Sequence, residues 1–227
     1  MKELENKVIV FDDSCPMCKA YTAGFVQMGW LNKRTGFANA SPEMLAKLDL
    51  NRARHEIPLL DTETGEVKYG LDALFHILGT KMPWLKPLFK SVFFRAPLYQ
   101  LYQIITYNRR IIAAGQSPKT GFDCAPDVNV FYRWVYIGIA LLISALVLFP
   151  LSNVNFSMAW VLPAFHGLAL LAGLFAAHKL DFIGHWATVL LVNALLFTFL
   201  PANTLVVFAL VFLSLWMWYR RWPQVNE

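Results

Sequence analysis

From Trp134 to Ala177, and again from Trp186 to Tyr219, the chain carries no Asp, Glu, Lys or Arg. A helix crosses a hydrocarbon core with about 20 residues, so each stretch is too long for one crossing and is expected to fold back once. Polar, turn-forming clusters mark the reversals: Pro150 to Asn155 in the first stretch and Pro201 to Thr204 in the second. The pattern predicts four spans, near 132–150, 158–178, 181–200 and 203–219, with a re-entrant or buried hairpin as the alternative for the last two, which are short or polar at their ends. The 57% hydrophobic and 15% charged residues of the 227-residue chain exceed the balance of an ordinary soluble domain, and the excess is concentrated in this half.

Positive residues set the expected orientation, because short cytoplasmic loops keep Lys and Arg. Arg109, Arg110, Lys119 and Arg133 precede the first span, Lys179 separates the second from the third, and Arg220 and Arg221 follow the fourth. A multi-pass protein of the cell membrane with both termini cytoplasmic is predicted. The opening MKELENKVIVFDDSC has too short an apolar run for a secretory leader, so the first 130 residues are expected to stay in the cytosol.

That compartment frames the three cysteines, Cys15, Cys18 and Cys124. A reducing cytosol disfavours permanent disulfides, which leaves a Cys-x-x-Cys pair as a working dithiol, half of a metal site, or two inert buried thiols. Zinc requires about four ligands. The chain has no second Cys pair, and His55 and His76 are not in a His-x-x-x-His arrangement. The dithiol is the favoured reading, with no metal and no resident cofactor called for. Residues 7–11 have the composition of a strand, and Tyr21, Phe25, Met28 and Leu31 have helical spacing, which puts Cys15 and Cys18 at a strand-to-helix junction. Pro16 suits the first helical turn. The positive end of the helix dipole is expected to favour the Cys15 thiolate, with Cys18 as the resolving thiol.

Further along, HEIPLLDTETGEVKYG at 55–70 reads as a hairpin that begins at Pro58, with Leu59 and Leu60 in one strand and Val67 and Tyr69 in the other. Asp12, at the end of the first strand, has two readings: a proton relay for Cys18, or a cap or turn-closing carboxylate.

Asp12-Asp-Ser-Cys15-Pro-Met-Cys18 resembles the Asp-x-x-Cys-x-x-Cys signature of the DCC family of thiol-disulfide oxidoreductases. TGEVKYGLDALFHIL is similar to that family's hairpin and following helix, and LYQLYQIITYNRR to its closing helix. The resemblance covers residues 6–111. It implies a thioredoxin-like α/β domain over 1–112, in which Pro58 would be a cis-proline against the dithiol, followed by a juxtamembrane connector over 113–130 and an all-α four-helix transmembrane domain over 131–221. The expected site is Cys15, Cys18, Asp12 and Pro58, and the expected partner a protein or small-molecule disulfide. Where the family commonly has Gly, this chain has Asp13, a carboxylate expected to oppose the Cys15 thiolate. The alternative is a non-enzymatic docking, scaffolding or redox-sensing module.

Between Ala73 and Phe122 there is no acidic residue, while Lys81, Lys86, Lys90, Arg95, Arg109, Arg110 and Lys119 alternate with Trp84, Leu88, Phe89, Val92, Phe93 and several tyrosines. This pattern is expected to meet the anionic inner leaflet of a lipid bilayer. Nucleic acid is not expected, since no recognised binding module accompanies the charge. Cys124, just before the first span, reads as a free thiol, a relay or a lipidation site. His166 and Asn193 lie within predicted spans, and His178, Asp181 and His185 near span ends. One reading is a quinone, haem or proton path; the other places His178, Asp181 and His185 at headgroup depth and has Asn193 bond a neighbouring helix. The sequence sets no oligomeric state.

Overall fold

The computed structural model describes residues 2–115, 122, 124–149, 160–201 and 203–226. The chain divides into two compact units, Met1–Asn129 and Val130–Glu227. The first is mixed α/β and the second is helical.

In the first unit β1 (Lys7–Phe11) leads through α1 (Pro16–Gln27) to β2 (Lys33–Gly36). Two short helices, α2 (Pro42–Ala46) and α3 (Leu50–Ala53), precede the hairpin of β3 (Pro58–Asp61) and β4 (Val67–Tyr69). Helices α4 (Gly70–Lys81), α5 (Lys86–Lys90) and α6 (Val92–Ala113) follow. The sheet order is β2-β1-β3-β4. β1 is parallel to β2 with Val10 opposite Thr35, antiparallel to β3 with Val8 opposite Leu60, and β3 is antiparallel to β4 with Leu60 opposite Val67.

β1 is buried along its whole length, as a central strand covered on both faces must be, and its β-branched run supplies apolar side chains to each. Ile9, Phe11 and Leu59 face α1 and α4, packing with Phe25, Leu31 and Ile77. Val10 and Leu60 point to the other side, against Phe37, Leu48 and Ala53. The strand period of two produces this division. Lys7 ties β1 to the hairpin through Asp61 at 2.7 Å. Asp61 also accepts from the Glu63 and Thr64 amides, closing the turn.

The connector expected over 113–130 packs on this unit at both described ends. Ala114 adopts a left-handed conformation (φ 49°) as it leaves α6. The Phe122 ring lies tilted against Phe37, 5.2 Å between ring centres, and Cys124 is buried beside Val10 and Leu60.

The second unit contains α7 (Val130–Leu148), α8 (Val161–Ala172), α9 (Lys179–Phe199) and α10 (Thr204–Arg221). By length and composition α7, α9 and α10 are long and apolar enough to cross a membrane. The segment anticipated as the second span is a shorter apolar helix that continues as a 3-10 turn to Phe175. The reversal anticipated at Pro150 to Asn155 lies outside the described residues. The polar side chains act as ties between helices: Asn193 bonds His166 Nε2 at 3.0 Å and donates to Ser214 at 2.7 Å, Tyr136 bonds Thr188 at 2.6 Å, and Arg133 pairs with Asp181 at 3.3 Å. His185 is buried among the helices.

Candidate functional site

α1 begins where β1 ends, and the first residue after the turn is Cys15. Asp12 Oδ1 accepts from the Ser14 amide at 2.8 Å and the Ser14 hydroxyl at 2.5 Å, and the Cys15 amide donates to the Asp12 carbonyl at 3.2 Å. This turn delivers Cys15 to the N-cap position, where its Sγ accepts the Cys18 N–H at 3.2 Å. Pro16 fills the first helical position, whose N–H has no intrahelical acceptor in any helix. A sulfur thus occupies the place where Ser or Asp oxygen normally satisfies the orphan amides.

The electrostatics follow from this geometry. The Cys15 thiol is lowered to about 7, chiefly because the Cys18 thiol donates to it. Burial opposes the shift, the Cys18 amide and the Arg109 guanidinium add to it, and Asp12 subtracts. Cys18 is pushed far above the usual thiol range by the same shared proton and by burial. Above about pH 7 the pair therefore holds one proton, with Cys15 as the anionic partner.

Behind the sulfurs lies a buried ion pair that the sequence did not single out. Arg109, on α6, reaches Asp12 Oδ2 with Nη2 at 3.2 Å and also donates to the Cys124 carbonyl. Both charged side chains are almost fully buried. As part of the basic run Arg109 is expected to meet the anionic inner leaflet; here it is buried against Asp12 instead. A signal existed: Tyr102, Thr106 and Arg109 recur at the i, i+4, i+7 spacing of one helix face, and Thr106 and Arg109 are indeed buried. Tyr102, the outermost of the three, accepts the Ile57 amide at 3.3 Å.

A largely apolar cavity of about 330 Å³ lies among these elements, lined by Cys18, Asp12, Arg109, Met17, Pro58 and Tyr102 together with core side chains. The four expected site residues therefore do converge: Cys18, Asp12 and Pro58 line the cavity, and Cys15 is joined to Cys18 by its cap. Among the lining residues Asp12 is the sole carboxylate. The Ile57–Pro58 bond is trans, since the described residues contain no cis peptide. Pro58 thus reaches the cavity as the first residue of an ordinary strand, paired with Tyr69.

Asp13 corrects another expectation. Its carboxylate turns away from the sulfurs and accepts the Ala38 amide at 2.8 Å, lying against the Cα of Gly36, where an added Cβ would fall 1.7 Å from Oδ1. It fastens the end of β2 through the Ala38 amide. Cys124 is packed in the core, so the anticipated lipidation site is not on the surface. His55 pairs with Asp127 at 3.2 Å and His76 faces Glu3 at 4.0 Å. No three His, Cys, Asp or Glu side chains converge as a metal site among the described residues.

Both sulfurs are covered, Cys15 being 3% and Cys18 4% exposed. Part of the cover is the chain leaving α6: a Cβ added at Gly115 would lie 3.0 Å from the Ser14 carbonyl and 3.6 Å from Cys15 Cα. Comparison with known proteins adds no relative: no family model matches the chain, and no curated protein or solved structure matches it.

Proposed function

We propose that the chain is a membrane-attached thiol-disulfide oxidoreductase whose first unit is thioredoxin-like and related to the DCC family. The observation that carries this reading is the Cys15 sulfur at the N-cap of α1, accepting the Cys18 amide and holding a thiol lowered to about 7. The β1-α1-β2 parallel crossover followed by the β3-β4 hairpin and α4 supports the fold assignment.

In the proposed reaction the Cys15 thiolate attacks a substrate disulfide, forming a mixed disulfide and releasing one substrate thiolate. Cys18 then loses its proton and attacks the Cys15 sulfur. The second substrate thiol leaves, and Cys15 and Cys18 remain as a disulfide. Asp12, the carboxylate of the shared cavity, is the acceptor for the Cys18 proton. Arg109 stabilises the thiolate and keeps Asp12 in position. In a reducing cytosol the pair runs toward reduction of its substrate, a protein or small-molecule disulfide. The cytosolic side follows from the Lys and Arg distribution. With α8 completing an even number of crossings beside α7, α9 and α10, both termini share that side. The covered sulfurs favour one rival, a docking or redox-sensing module in which the dithiol does not turn over.

The test is alkylation of the reduced full-length chain across pH. Cys15 is expected to react first, with a rate that rises through about pH 7 and is flat above it, while Cys18 stays unreactive. Thiols that react together only above about pH 8.5 would reverse the assignment. The same shift sets a stability dependence. Because the folded state holds Cys15 ionised below its unfolded range, its contribution is full above that range and is lost as pH falls through 7.

Gly115→Val is expected to raise the Cys15 alkylation rate without moving its pH midpoint, because the larger side chain cannot keep the close approach to Ser14. An unchanged rate would remove the 114–115 segment from the cover.

A further inference from the structure

The basic, aromatic segment between α4 and α6 takes no part in the dithiol site, and the structure resolves it into two surfaces. Phe89 anchors its inner side, stacked on Phe75 at 4.4 Å between ring centres and 6.2 Å from Phe94. The outer side carries Trp84, Val92 and Phe93, which are 75%, 73% and 94% exposed, with Leu88 beside them at 41%. Folding has fixed the segment while leaving its largest apolar side chains in water, the pattern of an interaction surface rather than of scattered exposed residues.

Next to this crest opens a polar cleft of about 450 Å³ whose wall includes Lys86, Lys90, Lys68 and Arg95. Lys68 is neutralised by Glu66 and Arg95 by Asp72. Lys86 and Lys90 meet no carboxylate among the described residues, and the sequence offers none from Ala73 to Phe122. Arg109, a member of the same charge run, is paired with Asp12, whereas Lys86 and Lys90 keep their charge on the wall of this cleft.

We propose that this surface docks on an anionic lipid bilayer, with Trp84, Leu88, Val92 and Phe93 entering the headgroup boundary and Lys86 and Lys90 meeting lipid phosphates. Three features select a membrane over other anionic partners. Exposed aromatic and aliphatic side chains beside lysines are the composition of interfacial segments. The same chain carries three helices of membrane-crossing length and composition. Only residues 125–129 join Cys124, buried in the first unit, to Val130, where the first of those helices begins, a tether of at most about 22 Å when extended. The inference is independent of the redox reading.

The test uses the full-length chain in nanodiscs, with a nitroxide on Phe93→Cys and the wild-type chain carried through the same labelling as the blank. In nanodiscs containing phosphatidylglycerol the label is expected to lose access to a water-soluble nickel chelate and to gain access to oxygen. In phosphatidylcholine alone, or with Lys86→Glu and Lys90→Glu, nickel access should return. Equal nickel access in both lipids overturns the proposal. So does a label shielded from both reagents in both lipids, which would assign the crest to a protein contact.

Discussion

In the proposed reaction, Cys18→Ala is expected to convert the dithiol from a catalyst into a trap. The Cys15 thiolate retains its attack on a substrate disulfide, but no second sulfur releases the product, so a mixed disulfide accumulates to about one per chain and turnover is lost. Mass spectrometry of the acid-quenched mixture measures it directly. The variant also tests the origin of the Cys15 shift. The largest cause is the hydrogen bond from the Cys18 thiol, which Ala cannot donate and Ser can. The alkylation midpoint of Cys15 should therefore rise in Cys18→Ala and stay near 7 in Cys18→Ser. Cys15→Ser should abolish both the trap and the turnover. If Cys15→Ser leaves cellular function intact, the docking or sensing module becomes the better account.

Local rules made the heart of this site legible. A β-branched run, a Pro at the first helical position and a hairpin with its own turn chemistry each fix structure within a few residues, and they carried Cys15, Cys18 and Pro58 to their places. What escaped the sequence depends on contacts far apart in the chain. Arg109 lies 97 residues from Asp12. In a run of basic residues beside predicted spans its charge pointed to lipid, and only the fold of α6 over the β1–α1 turn shows that it is buried. Asp13 reads as a neighbour of the dithiol because it is two residues from Cys15. The turn aims it the other way, toward Gly36, a glycine whose lack of a Cβ leaves room for the carboxylate. The connector looked like a spacer because it lies between a domain and a span. Cys124 and Phe122 are apolar enough to join a core that the sheet had left open on that side.

The helical unit was legible in kind, and α7, α9 and α10 fall within about two residues of the predicted spans; the second span alone came out shorter. An uncharged stretch says that helices are apolar, whereas the length of each one is set by where its backbone turns. α8 ends in a 3-10 turn well before the Lys179 that closed the predicted span. Its His166, a candidate functional group by position alone, bonds Asn193 and so helps tie α8 to α9, with Ser214 extending the link to α10.

Arg109→Met is the substitution expected to cost the fold most. It leaves the Asp12 carboxylate buried without its cation and removes a donor from the Cys124 carbonyl. Breaking one side of a buried pair costs about 3–5 kcal/mol, a large part of the stability of an ordinary domain. Cys124, 1% exposed in the same core, supplies the readout in the intact chain, since its alkylation under native conditions requires the first unit to open. The opening equilibrium should rise about 10²-fold or more in Arg109→Met. Asp12→Asn combined with Arg109→Met removes both charges and retains an oxygen for Ser14, so the double variant should recover much of the loss. The Cys15 midpoint separates the two roles of the pair, because Arg109 lowers it and Asp12 raises it. In the single Arg109 variant the midpoint must move up, and restoring stability through Asp12→Asn should bring it part of the way back. A midpoint that stays near 7 in both, with stability lost in one, would make the pair a structural clamp and leave thiolate stabilisation to Cys18 alone.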